Sequence, residues 1–559
     1  MSTIPSPKLI LSFREVFNQD PPVDRLSLVQ NFCKRNLIVE LAGLNYRLKP
    51  KDSKYHDLSI ETQLKELFYF CGSIEDSLFV SYKKIFGYYS KSKSDYPLIF
   101  TRATCLFALE EILQSDLPVV DDFDMSDGGN WDALLKYILT VNTAISDVKE
   151  AIPNEPLNFE TLNSKMVPLN EWAIDSDHIY VPYRGYRLME FLNSHEIIGK
   201  YFKEYVDKTF AIPYDQLVFE IIGMYLANKR DNKEWDFFYD VNKESAFLFD
   251  SLSARYPSEN ITPLLSIRKF PFYKAEDKKY ILVDNILLLE KLYNQFIFDF
   301  WFDHIKLLDG EKGKLNLKGY KSIIGYFFEV YIKELLDYSF QNAKYYSILQ
   351  FDKLKINNGK NEIEIADLYI RYTSRIILGQ VKSTTLYDSE KYSGNIDGLY
   401  KNDRNKFFAS FGVDQLVNSI KMLNDNMPQL DSGFPQNKNL RIFPVIIFNE
   451  KALQTHLMAQ VFQERFAELL NDFHNNKIYI NPLILIHVSD LENLQDFLHA
   501  DYGQIWELIK FHCGRNPKFV PSFYNTINVK NIHPNYKRTK ELYHNLIQKF
   551  NPEEETKQQ

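Results

Sequence analysis

Cysteine is scarce in this 559-residue chain: Cys33, Cys71, Cys105 and Cys513, with no CxxC spacing among them. That excludes a disulfide framework and a zinc knuckle, and leaves buried thiols as the expectation. The 11 histidines form neither HxxxH nor HExxH, and His487, closing an apolar run, reads as structural. Walker, GxGxxG and GxSxG sequences are missing, so neither a phosphate cradle nor a nucleophile elbow is legible. Long uncharged apolar runs are missing too. The most apolar segment, Tyr280 to Phe302, carries Asp284, Glu290, Lys291 and Asp299, which excludes a membrane span. The first residues show no charged and then apolar leader, so the expected location is cytoplasmic, with no membrane partner. No internal repeat is found.

What is present is ordinary globular composition, 45% hydrophobic and 25% charged, with 36 Tyr and 43 Phe. The length suits about two to four domains. Net charge is −8, which argues against indiscriminate nucleic-acid binding, but its distribution is uneven. Between Glu311 and Arg441 there are 19 Lys and Arg against 15 Asp and Glu, a basic segment in an acidic chain. Neutralising phosphates needs a local basic surface only. Up to about residue 300, Leu64 to Phe70, Ala103 to Leu113, Trp131 to Ile145 and Arg187 to Phe202 show helical spacing of apolar residues. The acidic run Val119 to Asp124 reads as a solvated loop, and Asn294 to Phe302 as a buried aromatic helix joining the two halves.

The informative stretch is Asn361 to Ser383. Glu362-Ile363-Glu364-Ile365 alternates as a strand does, and Asp367 then falls on the face of Ile363 and Ile365. A β-branched run, Ile376 to Lys382, follows a turn at Tyr372-Thr373-Ser374-Arg375. If Thr373 and Ser374 are the two loop residues, Tyr372 pairs with Arg375, Asp367 lies opposite Gln380, and Ile365 opposite Lys382. Opposed residues share a face, as do Gln380 and Lys382, two apart. A carboxylate, an amide and an ammonium therefore converge. In the same register Glu364 falls opposite Ser383, on the other face, which makes it a weak candidate.

This convergence resembles the PD-(D/E)XK, or restriction-endonuclease-like, nuclease superfamily, with Ala366 where the motif has Pro and Gln380 in place of Glu or Asp. Gly325 to Leu336 looks like the superfamily's leading helix, whose acid would be Glu329. Val413 to Leu423 looks like the helix after the catalytic hairpin, and the strands Ile442 to Phe448 and Leu483 to Val488 would complete the sheet. The resemblance covers roughly residues 315–495. It says nothing about the first 300 residues; joined to their helical spacing, it gives a multidomain chain: a mainly α region over 1–300, an α/β restriction-endonuclease-like domain with a central mixed sheet over 301–515, and a tail over 516–559.

It further implies a Mg²⁺- or Mn²⁺-dependent endonuclease, with Asp367, Gln380, Lys382 and Glu329 as catalytic residues. The metal ligands would be Asp367, Gln380, the Val381 carbonyl and Glu329, with Lys382 orienting water or stabilising developing charge. The implied substrate is nucleic acid, DNA favoured over RNA, with a homodimer or a partner defence protein as companions. A large helical region joined to such a nuclease is similar to bacterial restriction and anti-phage effectors. The competing readings are an inactive nuclease-like fold that binds nucleic acid or protein, and a helical adaptor with an unrelated α+β domain. The loop Thr384 to Asn405 is expected beside the catalytic edge, and Glu553 to Gln559 as a disordered end.

Overall fold

The computed structural model describes residues 10–49, 56–72, 74, 79–91, 96–118, 128–146, 179–230, 237–253, 264–308, 315–358, 361–385, 404–514 and 521–551. The acidic run at 119–124, most of the loop at 384–405 and the end at 553–559 lie outside these. The chain divides into two compact units: Met1–Ala151, Asp175–Leu307 and Leu542–Gln559 in the first, Ile152–Ile174 and Leu308–Glu541 in the second. No described helix is long and apolar enough to cross a membrane. Cys33, Cys71 and Cys105 are buried free thiols, and Cys513 is half-buried.

The first unit is mainly helical: α1 (Lys34–Arg47), α2 (Ile60–Cys71), α3 (Arg102–Gln114), α4 (Gly128–Ser146), α5 (Val181–Ser194), α6 (Gly199–Phe210) and α7 (Tyr214–Arg230). Ser59 and Thr101 cap α2 and α3, each accepting the N3 amide. The periodic run Arg187 to Phe202 is two helices, not one. His195 turns extended after α5, and its ring Nδ1 accepts the Ile197 N–H at 3.2 Å, so the backbone is satisfied without helix. The helical reading also missed a small antiparallel sheet of β1 (Phe238–Asp240), β2 (Phe272–Glu276) and β3 (Lys279–Leu282), in the order β1-β3-β2.

The apolar segment from Tyr280 thus supplies a strand, then α8 (Asn285–Glu290) and α9 (Asn294–Phe300). Asp284 caps α8 and takes two bonds from Arg102, at 2.8 and 2.9 Å. Burial alone would raise its carboxyl, but Arg102, Asn45 and the Leu287 amide outweigh that and hold it well below the usual range. Phe296 and Phe300 of α9 pack on Phe202 and Tyr205 within this unit.

The second unit opens with the long helix α10 (Leu317–Ser339), then β4 (Ser347–Gln350), β5 (Lys355–Asn358), β6 (Asn361–Glu364), β7 (Leu368–Tyr372) and β8 (Arg375–Lys382). α11 (Val413–Leu430), β9 (Leu440–Phe448), α12 (His456–Leu470), β10 (Ile478–Ile480), β11 (Ile484–His487), α13 (Val488–Ala500) and α14 (Gln504–Gly514) follow. The region after residue 516 adds the helices Phe523–Val529 and Lys537–Phe550. Six strands form one mixed sheet in the order β10-β9-β8-β7-β4, with β11 also on β9. β4, β7 and β8 are antiparallel; β9 runs parallel to β8, and β10 and β11 run parallel to the two ends of β9.

The expected register holds: Tyr372 pairs with Arg375 and Leu368 with Gly379. β8 is central, so both its faces are buried, which is why it reads as a continuous apolar run. Ile376 and Leu378 join a core with Phe411, Leu416, Ile420 and Phe462. The opposite face meets Trp506 of α14, whose ring lies 6.0 Å from Phe443.

One expectation fails. Asn361 to Tyr372 is not a single strand: β6 pairs only with β5, in a separate two-stranded sheet. Ile365 donates its N–H to Leu354 O, so it does not pair with Lys382. The cause is legible in packing. Ile365, Ala366 and Asp367 are all buried in succession, which an alternating strand with one open face cannot do.

Candidate active site

The site gathers where β7 begins and β8 ends. The Asp367 backbone is held from both sides: its N–H donates to Gly379 O at 3.0 Å, and its C=O accepts from Phe351 N at 2.8 Å. Phe351 has φ +48°, a left-handed conformation costly for an aromatic residue. Its carboxylate Oδ2 accepts the Val381 N–H at 2.7 Å and faces Lys382 Nζ at 3.5 Å. Both side chains are largely enclosed, Asp367 at 6% and Lys382 at 20% exposure.

Glu364 belongs here, which corrects its placement on the other face. Because the chain kinks after β6, its carboxyl forms a hydrogen bond with Asp367. That bond, then burial and the Asp367 charge, push its pKa up to about 7. Glu329, on α10, is raised by burial and then by Asp367, with Lys382 opposing. α10 reaches the end of β8 at Gly325, where a Cβ would come 3.3 Å from Ser383 Oγ.

Gln380 shares the Lys382 face but is turned toward α11. Its Nε2 donates to Ser419 Oγ at 3.4 Å, and Ser419 donates in turn to Gln415 O. Since that hydroxyl spends its proton on Gln415, it can only accept from Gln380, which fixes the amide with nitrogen toward α11. Gly412, just before α11, has φ +81°. A Cβ there would fall 2.7 Å from Lys382 Cε and 3.3 Å from Gln380 Cβ. The absent side chain is the slot through which the lysine stem passes to Asp367.

The structure thus brings together Asp367, Lys382, the Val381 amide and Glu364, with Glu329 in electrostatic range. It leaves Gln380 bonded to α11 instead. His487 has a capping role: its Nδ1 bonds Ser489 Oγ at 2.6 Å at the start of α13. Sequence reasoning undervalued Glu364 and passed over Gly412 and Phe351. For Glu364 a signal existed, since Ile365 and Ala366 are consecutive apolar residues where alternation demands a polar one.

Among the described residues, no group of three or more His, Cys, Asp or Glu side chains could hold a metal ion. The donor chemistry nonetheless suits a hard cation: carboxylates oppose one another with the Lys382 and Lys355 charges only partly offsetting them, and two of them are shifted toward the neutral form. Compared with protein-family models, curated proteins and solved structures, the chain has no match.

Proposed function

We propose that this chain is a metal-dependent nuclease that hydrolyses phosphodiester bonds of DNA, acting as a bacterial restriction or anti-phage effector. The observation that carries the reading is Asp367, bonded through one oxygen to Val381 N–H and facing Lys382, with the Glu364 carboxyl bonded to it. Asp367 and Glu364 would hold a Mg²⁺ or Mn²⁺ ion, with the Gln380 oxygen, the Val381 carbonyl and Glu329 as further donors. Such an ion supplies Lewis acidity toward the phosphoryl oxygens.

The chain's own groups account for the remaining needs of hydrolysis. Lys382, a point cation on a stem gripped by Gly412, stabilises charge that develops on the phosphate. Val381 N–H fixes which Asp367 oxygen stays turned inward. Glu364, whose carboxyl reaches Asp367, is the group placed to take a proton from an attacking water. Glu329 lies within electrostatic range of Asp367 and Lys382 without a direct bond to either.

The test is cleavage of supplied DNA and RNA with and without Mg²⁺ or Mn²⁺. Asp367→Asn and Lys382→Ala should each abolish metal-dependent cutting. Lys382→Ala also leaves the enclosed Asp367 carboxylate without its cation and should lower the melting temperature, with a retained cooperative melt showing that the variant stays folded. Cutting by purified Lys382→Ala at the wild-type rate would sink the assignment. Binding without cutting by wild type would support the inactive-fold reading instead.

Gln380 has its own test, a metal titration of cleavage. Gln380→Glu places a carboxylate at the same reach and should move the Mg²⁺ midpoint lower; Gln380→Ala should move it higher. An unchanged midpoint in the alanine variant would take Gln380 out of the ion's ligands.

A further inference from the structure

At the end of the sheet away from Lys382, five neighbouring strands line up a row of flat side chains. The register sets Tyr479 opposite Arg441, Arg441 opposite Arg375, and Arg375 opposite Tyr372. Ser347 pairs with Arg371, so Tyr346, one residue earlier, falls opposite Tyr372. Directly paired residues share a face. The order across the sheet is therefore Tyr479, Arg441, Arg375, Tyr372, Tyr346.

Ring contacts agree with this placement. The Arg441 guanidinium lies 5.3 Å from the Tyr479 ring centroid, and the Tyr346 and Tyr372 rings are 5.0 Å apart. Trp506 backs the row, donating its ring N–H to Tyr346 OH at 2.8 Å. At about 4.8 Å per strand the row spans about 19 Å.

Two of these rings are open to solvent where a core would bury them: Tyr479 is 61% exposed and Tyr372 37%. Tyr346 is half-buried, with Tyr502 and Trp506 packed against its ring. Arg375 is exposed and has no ion-pair partner among the described residues, and the exposed Lys344, Lys438 and Lys477 flank the row in sequence. Asp501, the acid whose charge reaches Tyr346, already accepts from Gly503 N and Gln504. The exposed Tyr479 and Tyr372 planes flank the adjacent Arg441 and Arg375, of which Arg441 also donates to Asn481 Oδ1 at 3.2 Å, and this combination suits stacked bases and a phosphate backbone better than an apolar protein face.

We infer that this row is a docking surface for single-stranded nucleic acid. Bases stack on Tyr479, Tyr372 and Tyr346, while Arg375 and Arg441 meet phosphates. Along β8 the row stands about 23 Å from Lys382, seven residues at about 3.3 Å each, so it is a separate site. It does not depend on the cutting assignment.

The test is fluorescence anisotropy of a labelled fifteen-residue oligo-dT with the full chain in EDTA, where no metal-dependent cutting intervenes. Tyr479→Ala and Tyr372→Ala should each weaken binding about tenfold, with Tyr479→Phe restoring it. Arg375→Ala should flatten the slope of log affinity against log salt by roughly 0.7. Equal affinity in wild type and both tyrosine variants overturns the inference. So does a change in oligomeric state without a change in oligonucleotide affinity, which would make the row a protein interface. A wild type that binds oligo-dT through the row yet cuts nothing defeats the nuclease reading alone. One that cuts DNA but binds oligo-dT independently of the row defeats this inference alone.

Discussion

Gly412→Ala is expected to lower cleavage roughly 10²-fold while the protein stays folded. The new methyl would meet Lys382 Cε at 2.7 Å, the far end of a flexible side chain, so the lysine yields and the backbone need not. Its ammonium then leaves the 3.5 Å approach to Asp367 on which the proposed chemistry depends. Left-handed φ costs an alanine about 1–2 kcal/mol, a modest drop in melting temperature. The measurements are kcat at saturating metal and a thermal melt for the same preparation. A wild-type kcat would mean that the placement of Lys382 is unimportant.

Arg371→Ala is expected to cost about 3–5 kcal/mol of unfolding free energy, because it strands a buried carboxylate. Arg371 on β7 grips Asp431 at the end of α11 through Nε at 2.5 Å and Nη2 at 2.9 Å, and Tyr369 OH adds a bond at 2.9 Å. Burial would raise the Asp431 pKa, but Arg371 and Tyr369 outweigh it and the net shift is downward. A depressed acid stabilises the fold above its unfolded value, near 3.8, and that contribution is lost as pH falls through the folded value. The gap between wild type and variant should therefore be full at pH 5 to 8 and close below about pH 4. Denaturant unfolding at both ends of that range checks it; a gap that grows in acid would contradict the pair's role.

Much of the second unit was legible because its signals are local. A two-residue turn between a short strand and a β-branched run fixed the register from Tyr372 to Gly379. The helices at Gly325 and Val413 and the strands at Ile442 and Leu483 appear where the resemblance placed them, the strands within two residues at each end and the helices as parts of the longer Leu317–Ser339 and Val413–Leu430. The failures concern contacts that sequence spacing does not carry. Whether the strand ran on through Ile365 depended on Leu354 supplying the next hydrogen bond. Glu364 was misassigned for that reason alone. Gly412 carried no visible meaning until the lysine stem beside it was placed. In the first unit, β1 is separated by helical segments from the hairpin of β2 and β3, and all three strands are too brief for a period-2 pattern to outweigh its surroundings.

The change from antiparallel to parallel pairing at β8 has a consequence for the order in which the molecule assembles. Asp367 and Lys382 are 15 residues apart and meet when one hairpin closes, an event of microseconds. Much of what encloses them comes from farther along: Gly412, then Asp431, then β9 on the remaining edge of β8. Loop closure over such separations is slow, and parallel pairing must wait for an intervening crossover. During synthesis the Asp367 and Lys382 pair can therefore form early as a loose, solvated hairpin, before the sheet has enclosed it. A chain released before Phe448 would carry every proposed catalytic residue and still lack the strand that buries them.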